Sequence, residues 1–285
     1  MCHSDDSRAP EPPRRGPVGE HGEIELSAED GARFRAYAAV GAEKPWAGVI
    51  ILPDVRGLHP YYEDLAVRFA EAGCEAIAID YFGRTAGGAK RDDSFDWKTH
   101  VAQTTPEGIA HDVRAARDRI RAGRDGSTLP IFSVGFCFGG ANSWRQSAEG
   151  LGLAGCIGFY GGRPMERVGP WIPRLKAPIL MLLAGDDQGT PASEFEEFAR
   201  RAGAQGIEVE STPIPGLRTA SSTARSRNTA TPVPTPGGGY WRSWSGTAYG
   251  SDGASAGVPS TGAPSTVRRS RRDGNARQVR RPRGW

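Results

Sequence analysis

The stretch Val134–Gly140 reads Val-Gly-Phe-Cys-Phe-Gly-Gly and follows directly on Pro130-Ile-Phe-Ser. A continuous apolar run bounded by turn residues is the pattern of a strand buried on both faces of a parallel sheet. Gly135 and Gly139 flank Cys137 at the spacing of the G-x-nucleophile-x-G elbow, a sharp strand-to-helix turn that exposes a nucleophile above the sheet. The spacing beyond it predicts a helix from about Gly139 to Glu149.

Outward from this turn, the same alternation repeats. Strands are predicted at residues 34–40, Ala47–Leu52, Glu75–Asp80, Leu153–Tyr160, Pro178–Leu183 and Ile207–Thr212. Helices are predicted from Tyr61 to Ala72, closed by Gly73, from Thr105-Pro106 to about Arg121, and from Ala192 to Ala202. Residues 86–104 are polar and irregular. Strands alternating with helices imply an α/β fold with a doubly wound, mainly parallel sheet, its site residues on loops at the carboxyl ends of the strands.

Of the 285 residues, 38% are hydrophobic, and they concentrate between Ala47 and Val209. This distribution predicts a disordered N-terminal tail over residues 1–21, a folded domain over 22–216 and a disordered tail over 217–285. The last segment carries twelve Arg and two Asp but no Lys, Glu or His, so of the net charge of +3 it holds +10 and leaves −7 on residues 1–216. An acidic folded part argues against nucleic acid as its partner. The N-terminal MCHSDDSRAPEPPRRGP has no signal-like apolar core, and no run is long enough to span a bilayer, which makes a cytoplasmic enzyme the expectation. Cys2, Cys74, Cys137 and Cys156 show no CxxC or metal-ligand spacing; Cys74 and Cys156 read as small buried hydrophobes in strands.

At the elbow, a cysteine at a helix N-terminus is placed to be stabilised as thiolate by unpaired N–H groups and the helix dipole. The Phe138 N–H is the first candidate oxyanion-hole donor, and Val55, on the loop after the Ala47–Leu52 strand, is the second.

The segments PDVRGLHPYYEDLAVRFAEAG, AIDYFGRTAGG, VGFCFGGA and LMLLAGDDQGTP together resemble the dienelactone hydrolase family of α/β-hydrolases over about residues 22–216. The resemblance implies an α/β-hydrolase fold, a small lactone or ester substrate, a Cys-His-Asp triad and no cofactor. It implies Cys137 as nucleophile and Asp187 as triad acid, with Asp186 its structural neighbour. It further implies Asp54 as the acid that contacts the resting thiol, one methylene shorter than the family's glutamate, and Arg84 as the residue that binds a substrate carboxylate.

The family's histidine follows a segment like Pro213-Ile-Pro-Gly216, yet here the chain continues Leu-Arg-Thr-Ala-Ser and has no histidine after His111. A triad without imidazole lacks both its general base and its acid for the leaving group. The fold is therefore expected to lack its C-terminal histidine loop and helix. The genetic code offers a reason. Reading residues 217 onward two bases on, with free choice only at third positions, permits PHSFFDRTFAEYGDACADAWRRVLAF. The second base of each shifted codon is mostly fixed and alone sets the apolar class, and the Phe residues and the closing Val-Leu fall where it is T. A single-base loss near the Gly216 codon is the implied origin, and impaired activity its consequence. The rival reading is a non-catalytic protein whose RRSRRDGNARQVRRPRGW tail binds nucleic acid or anionic surfaces; no basic-aromatic interleaving accompanies that run. Oligomeric state has no signature in the sequence.

Overall fold

In the computed structural model the described residues are 8–13, 15–123, 128–184 and 189–214. An eight-stranded sheet forms the centre, with β1 at Val18–Ser27, β2 at Arg33–Gly41, β3 at Ala47–Leu52, β4 at Cys74–Ile79, β5 at Ile131–Phe136, β6 at Gly155–Phe159, β7 at Ile179–Ala184 and β8 at Val209–Ile214. The strand order is β1-β2-β4-β3-β5-β6-β7-β8. From β4 to β8 every neighbouring pair is parallel, whereas β1–β2 and β2–β4 are antiparallel. The predicted doubly wound, mainly parallel sheet is thus observed. Its central strands β3 and β5 are buried at every position, as continuous apolar runs require.

The helices are α1 at Pro60–Glu71, α2 at Gly83–Ala86, α3 at Trp97–Val101, α4 at Pro106–Arg121, α5 at Phe138–Gln146, α6 at Pro164–Arg167 and α7 at Ala192–Gly203, with a 3₁₀ turn at Gly169–Arg174 between α6 and β7. Local chemistry starts the long ones. The Thr105 hydroxyl accepts the Gly108 N–H at 3.1 Å, with Pro106 supplying a preset φ at the first turn of α4. α1 packs Tyr61, Tyr62, Leu65 and Phe69 beneath one sheet face; α4 and α5 place Ile109, Val113, Ile120 and Trp144 on the other.

Two expectations change. Residues 8–13 and 15–21 are not a tail in this structure. The Ala9 N–H donates to Asp64 at 2.9 Å, Arg15 pairs with Glu71 at 2.6 Å, and Val18 opens β1. β1 escapes an aliphatic count because it is an edge strand with one wet face, burying only Leu26 fully. The 86–104 insert is also not merely irregular: Arg91, 2% exposed, pairs with the buried Asp80 at 3.0 Å and lies over the Phe95 ring at 4.7 Å. A buried pair of this kind ties the insert to the carboxyl end of β4, since removing one partner would strand the other's charge. No helix among the described residues is long and apolar enough to cross a membrane. The segment 217–285, including the proposed out-of-frame stretch, lies outside the described residues.

Candidate active site

β5 ends at Phe136 and α5 begins at Phe138, so Cys137 makes the whole turn. It does so at φ 55° and ψ −114°, a conformation that non-glycine residues adopt at a cost of about 1–3 kcal/mol when the surroundings enforce it. The enforcement is visible. The Cys137 N–H donates to the Phe159 carbonyl at 2.9 Å, and its own carbonyl accepts the Gly140 N–H at 2.9 Å. A Cβ on Gly139 would fall 2.1 Å from the Leu52 carbonyl and 2.3 Å from that of Pro53. The first turn of α5 is therefore pressed directly on the end of β3, which brings Phe138 next to the loop that carries Val55.

That loop is fixed from three directions. The Tyr62 hydroxyl accepts the Asp54 N–H at 3.1 Å, and the Tyr81 hydroxyl donates to the Asp54 carbonyl at 2.8 Å and to the Pro53 carbonyl. The fully buried Asp54 carboxylate takes the Arg56 N–H at 2.9 Å and the Arg56 guanidinium through Nε at 3.3 Å and Nη2 at 3.1 Å. Arg56 also reaches Asp93 at 3.1 Å. Among the described residues no hydrogen bond uses the Val55 N–H, while the Phe138 N–H points to the Cys137 thiol. The Phe138 N–H thus lies at the thiol, and Val55 follows the Leu52–Pro53 segment on which α5 is pressed.

The thiol's proton affinity departs from the sequence-based expectation. Burial pushes the Cys137 pKa up, and the Asp54 charge adds to this; the Phe138 N–H and the Arg167 charge oppose both without reversing the sum. Helix N-terminal stabilisation is present but smaller than desolvation. Cys74 and Cys156 are buried at 1% and 0% exposure, and burial drives the Cys156 thiol up to about 12. Cys137 is half-buried. Iodoacetamide under native conditions is therefore expected to label Cys137 before Cys74 or Cys156. Its rate should still be climbing above the ordinary thiol range of about 8.5. Mass-spectrometric mapping across pH checks both, and a Cys137 rate that levels off below neutrality would contradict the assignment of its environment.

Arg84, the expected carboxylate binder, is itself held by two carboxylates. Its Nε and Nη2 donate to Asp112 at 3.1 and 2.8 Å, and its Nη1 and Nη2 to Asp30 at 2.6 and 3.2 Å. The two acids respond in opposite directions. Burial drives Asp112 up to about 6 against the pull of Arg84, whereas the Arg84 hydrogen bonds bring the more exposed Asp30 down to about 2. Asp186 and Asp187 lie outside the described residues, which reach Ala184 at the end of β7 and resume at Gly189.

Of the histidines, His59 is fully buried and caps α1, its Nδ1 accepting the Tyr61 N–H at 3.2 Å, with Nε2 3.6 Å from Asp93. His21 bonds the Tyr37 hydroxyl and His111 bonds Glu29. His100 bonds Thr85 at 3.0 Å and stacks on Phe95 with centroids 5.1 Å apart. Residue spacing did not anticipate the aromatic wall beside the elbow. Tyr81 and Phe82 pack on Phe138 at 5.5 and 6.3 Å, and Phe95 continues the wall at 5.4 Å from Phe82. Tyr81-Phe82 follows the β4 run directly and could have been read as lining; Phe95 sits in the insert, where no periodicity marks it.

The dienelactone hydrolase family model matches residues 34–217. A Methylorubrum extorquens protein, provisionally described as a carboxymethylenebutenolidase, is 25% identical over 195 residues, 65% of this chain and 66% of that one. The carboxymethylenebutenolidase of Pseudomonas putida is 25% identical over 189 residues, 64% of this chain and 78% of that one. Among solved structures, a provisionally assigned dienelactone hydrolase from Klebsiella pneumoniae shares the fold with a TM-score of 0.59 at 23% identity, over 71% of this chain and 88% of that one. With a cysteine elbow, a mainly parallel eight-stranded sheet and a family match over well over half its length, the chain belongs to the dienelactone hydrolase family.

Proposed function

We propose that this chain is built as a carboxylic ester hydrolase that opens small lactones or esters through attack by Cys137. The observation that carries the reading is the elbow itself, a thiol held at φ 55° with the Phe138 N–H beside it and the Val55 N–H unused on the adjoining loop. In this reading the thiolate attacks the carbonyl carbon, and the two N–H groups receive the oxyanion. The alcohol or enol leaves with a proton, and water then releases the acid from the thioester. Asp187 is the proposed triad acid, and the domain is proposed to span residues 22–216 together with the N-terminal strand.

Two features weigh on the chemistry of this chain. Asp54 spends its carboxylate on Arg56, so its proposed role at the thiol is electrostatic: it disfavours the thiolate and keeps the resting sulfur protonated. The sequence also supplies no histidine beyond His111, and His59 has its Nδ1 committed to the α1 cap, so proton transfer at Cys137 is proposed to be impaired.

The test is hydrolysis of 4-nitrophenyl acetate and a small butenolide by the chain and its Cys137→Ala variant. The expected result is weak activity that Cys137→Ala removes down to the buffer rate. Undiminished hydrolysis by Cys137→Ala would overturn the reading.

A further inference from the structure

The turn between β1 and β2 lies at the same end of the sheet as the elbow, the carboxyl end of its parallel strands. β2 runs antiparallel to β4 with Ala36 opposite Ile79, so residues before Arg33 project beyond the carboxyl end of β4. This places Asp30, from that turn, against Arg84, from the loop after β4, and Asp112, from α4. The three line or underlie a cavity of about 300 Å³ bordered by Tyr81, Thr85, Thr105, Gly108 and His111. Tyr81 is shared: its ring packs on Phe138, the residue following Cys137.

A guanidinium offers a carboxylate two bidentate edges, one formed by Nε with a terminal nitrogen and one by the two terminal nitrogens. In Arg84 both edges are taken. Asp112, fully buried, occupies the first, and Asp30, with its side chain 35% exposed, occupies the second. Two carboxylates on one guanidinium leave the cluster with a net negative charge. Glu107 adds another carboxylate to the cavity lining, and the nearby His111 and Arg114 are both turned to Glu29. A substrate carboxylate arriving here would have to displace Asp30 to gain a pair that already exists.

We infer that the Asp30–Arg84–Asp112 clamp is a specificity determinant that turns this site against anionic acyl compounds and toward neutral esters or lactones. The inference rests on Cys137 being the reacting nucleophile, and it reverses the role that the position of Arg84 suggests from sequence alone. Arg84 acts as a tie between the β1–β2 turn and α4, and the charge it would have offered a substrate is cancelled from within.

The experiment uses two alkylating agents of nearly the same size, neutral iodoacetamide and anionic iodoacetate, on the full chain at low ionic strength. Cys137 labelling is mapped by mass spectrometry, and the iodoacetate-to-iodoacetamide rate ratio is referred to that of free cysteine. It requires no turnover, so failure of the hydrolase reading would appear separately, as ester hydrolysis that survives Cys137→Ala. The expected ratio at Cys137 is roughly tenfold below that of free cysteine. Asp30→Asn, a substitution at a partly exposed turn, should raise it about threefold. Asp118→Asn, which removes the same charge near the far end of α4, should leave it unchanged. A ratio equal to or above that of free cysteine would overturn the inference. So would a low ratio that Asp30→Asn does not move, which would assign the repulsion to Asp54 alone.

Discussion

Insertion of one base beside the Gly216 codon is expected to raise the esterase kcat/KM of this chain by about 10⁴ or more. Removing one member of a nucleophile-base-acid triad typically leaves only the contribution of the oxyanion hole and of binding, and the loss is of that order. The elbow here has its strand, its strained cysteine, its helix and the Phe138 N–H at the thiol. The proposed missing element is an imidazole, and the shifted reading permits one in the string beginning Pro-His-Ser-Phe-Phe. Substituting that restored histidine should return activity to the level of the unmodified chain. If the unmodified chain already hydrolysed 4-nitrophenyl acetate at an ordinary enzymatic rate, with Cys137→Ala inactive, another group would supply the base. His59 is poorly placed for that, being buried with its Nδ1 lone pair on the Tyr61 N–H.

The second large effect is steric. Gly135→Ala and Gly139→Ala are each expected to cost several kcal/mol, a large part of the 5–15 kcal/mol by which domains are stable. A methyl on Gly135 would sit 1.9 Å from the Gly139 carbonyl oxygen, and one on Gly139 would sit 2.1 Å from that of Leu52. Both obstacles are backbone, one in the first turn of α5 and the other at the end of β3, so neither can yield without opening the elbow. Gly203→Ala is the control: nothing lies within 4 Å of its added methyl at the end of α7, and a gain of up to about 1 kcal/mol is expected from helix propensity. Urea denaturation of the three variants checks the order, and a Gly139→Ala midpoint matching the parent would contradict the described packing.

The fold was legible because its buried strands are long apolar runs. Ile131–Phe136 and Ala47–Leu52 are buried at every position, and a run with no polar interruption reads the same way in sequence and in structure. β1 was not legible, since Glu20, His21, Glu23 and Glu25 alternate with few apolar partners along a wet edge. At the site, Cys137 was legible from the flanking glycines, because close backbone approach leaves a compositional trace. The fate of Arg84 and Asp54 was not, because it depends on charges 28 and 54 positions from Arg84 and two from Asp54 that converge only in the fold. The raised thiol pKa was missed for a related reason: a helix N-terminus can be read from a motif, whereas desolvation is set by everything packed around the sulfur.

The central claim is that Cys137 becomes acylated by an ester, and the most direct measurement is the site of acetylation after 4-nitrophenyl acetate treatment. The full chain would be mixed with a modest excess of the ester in mildly alkaline buffer, quenched in acid and mapped by mass spectrometry. The account predicts one acetyl group per chain, carried on Cys137, released with a matching burst of 4-nitrophenol and persisting because the deacylating water lacks its base. Acetyl groups found on surface lysines or serines while Cys137 stays free, with the burst unchanged in Cys137→Ala, would contradict it.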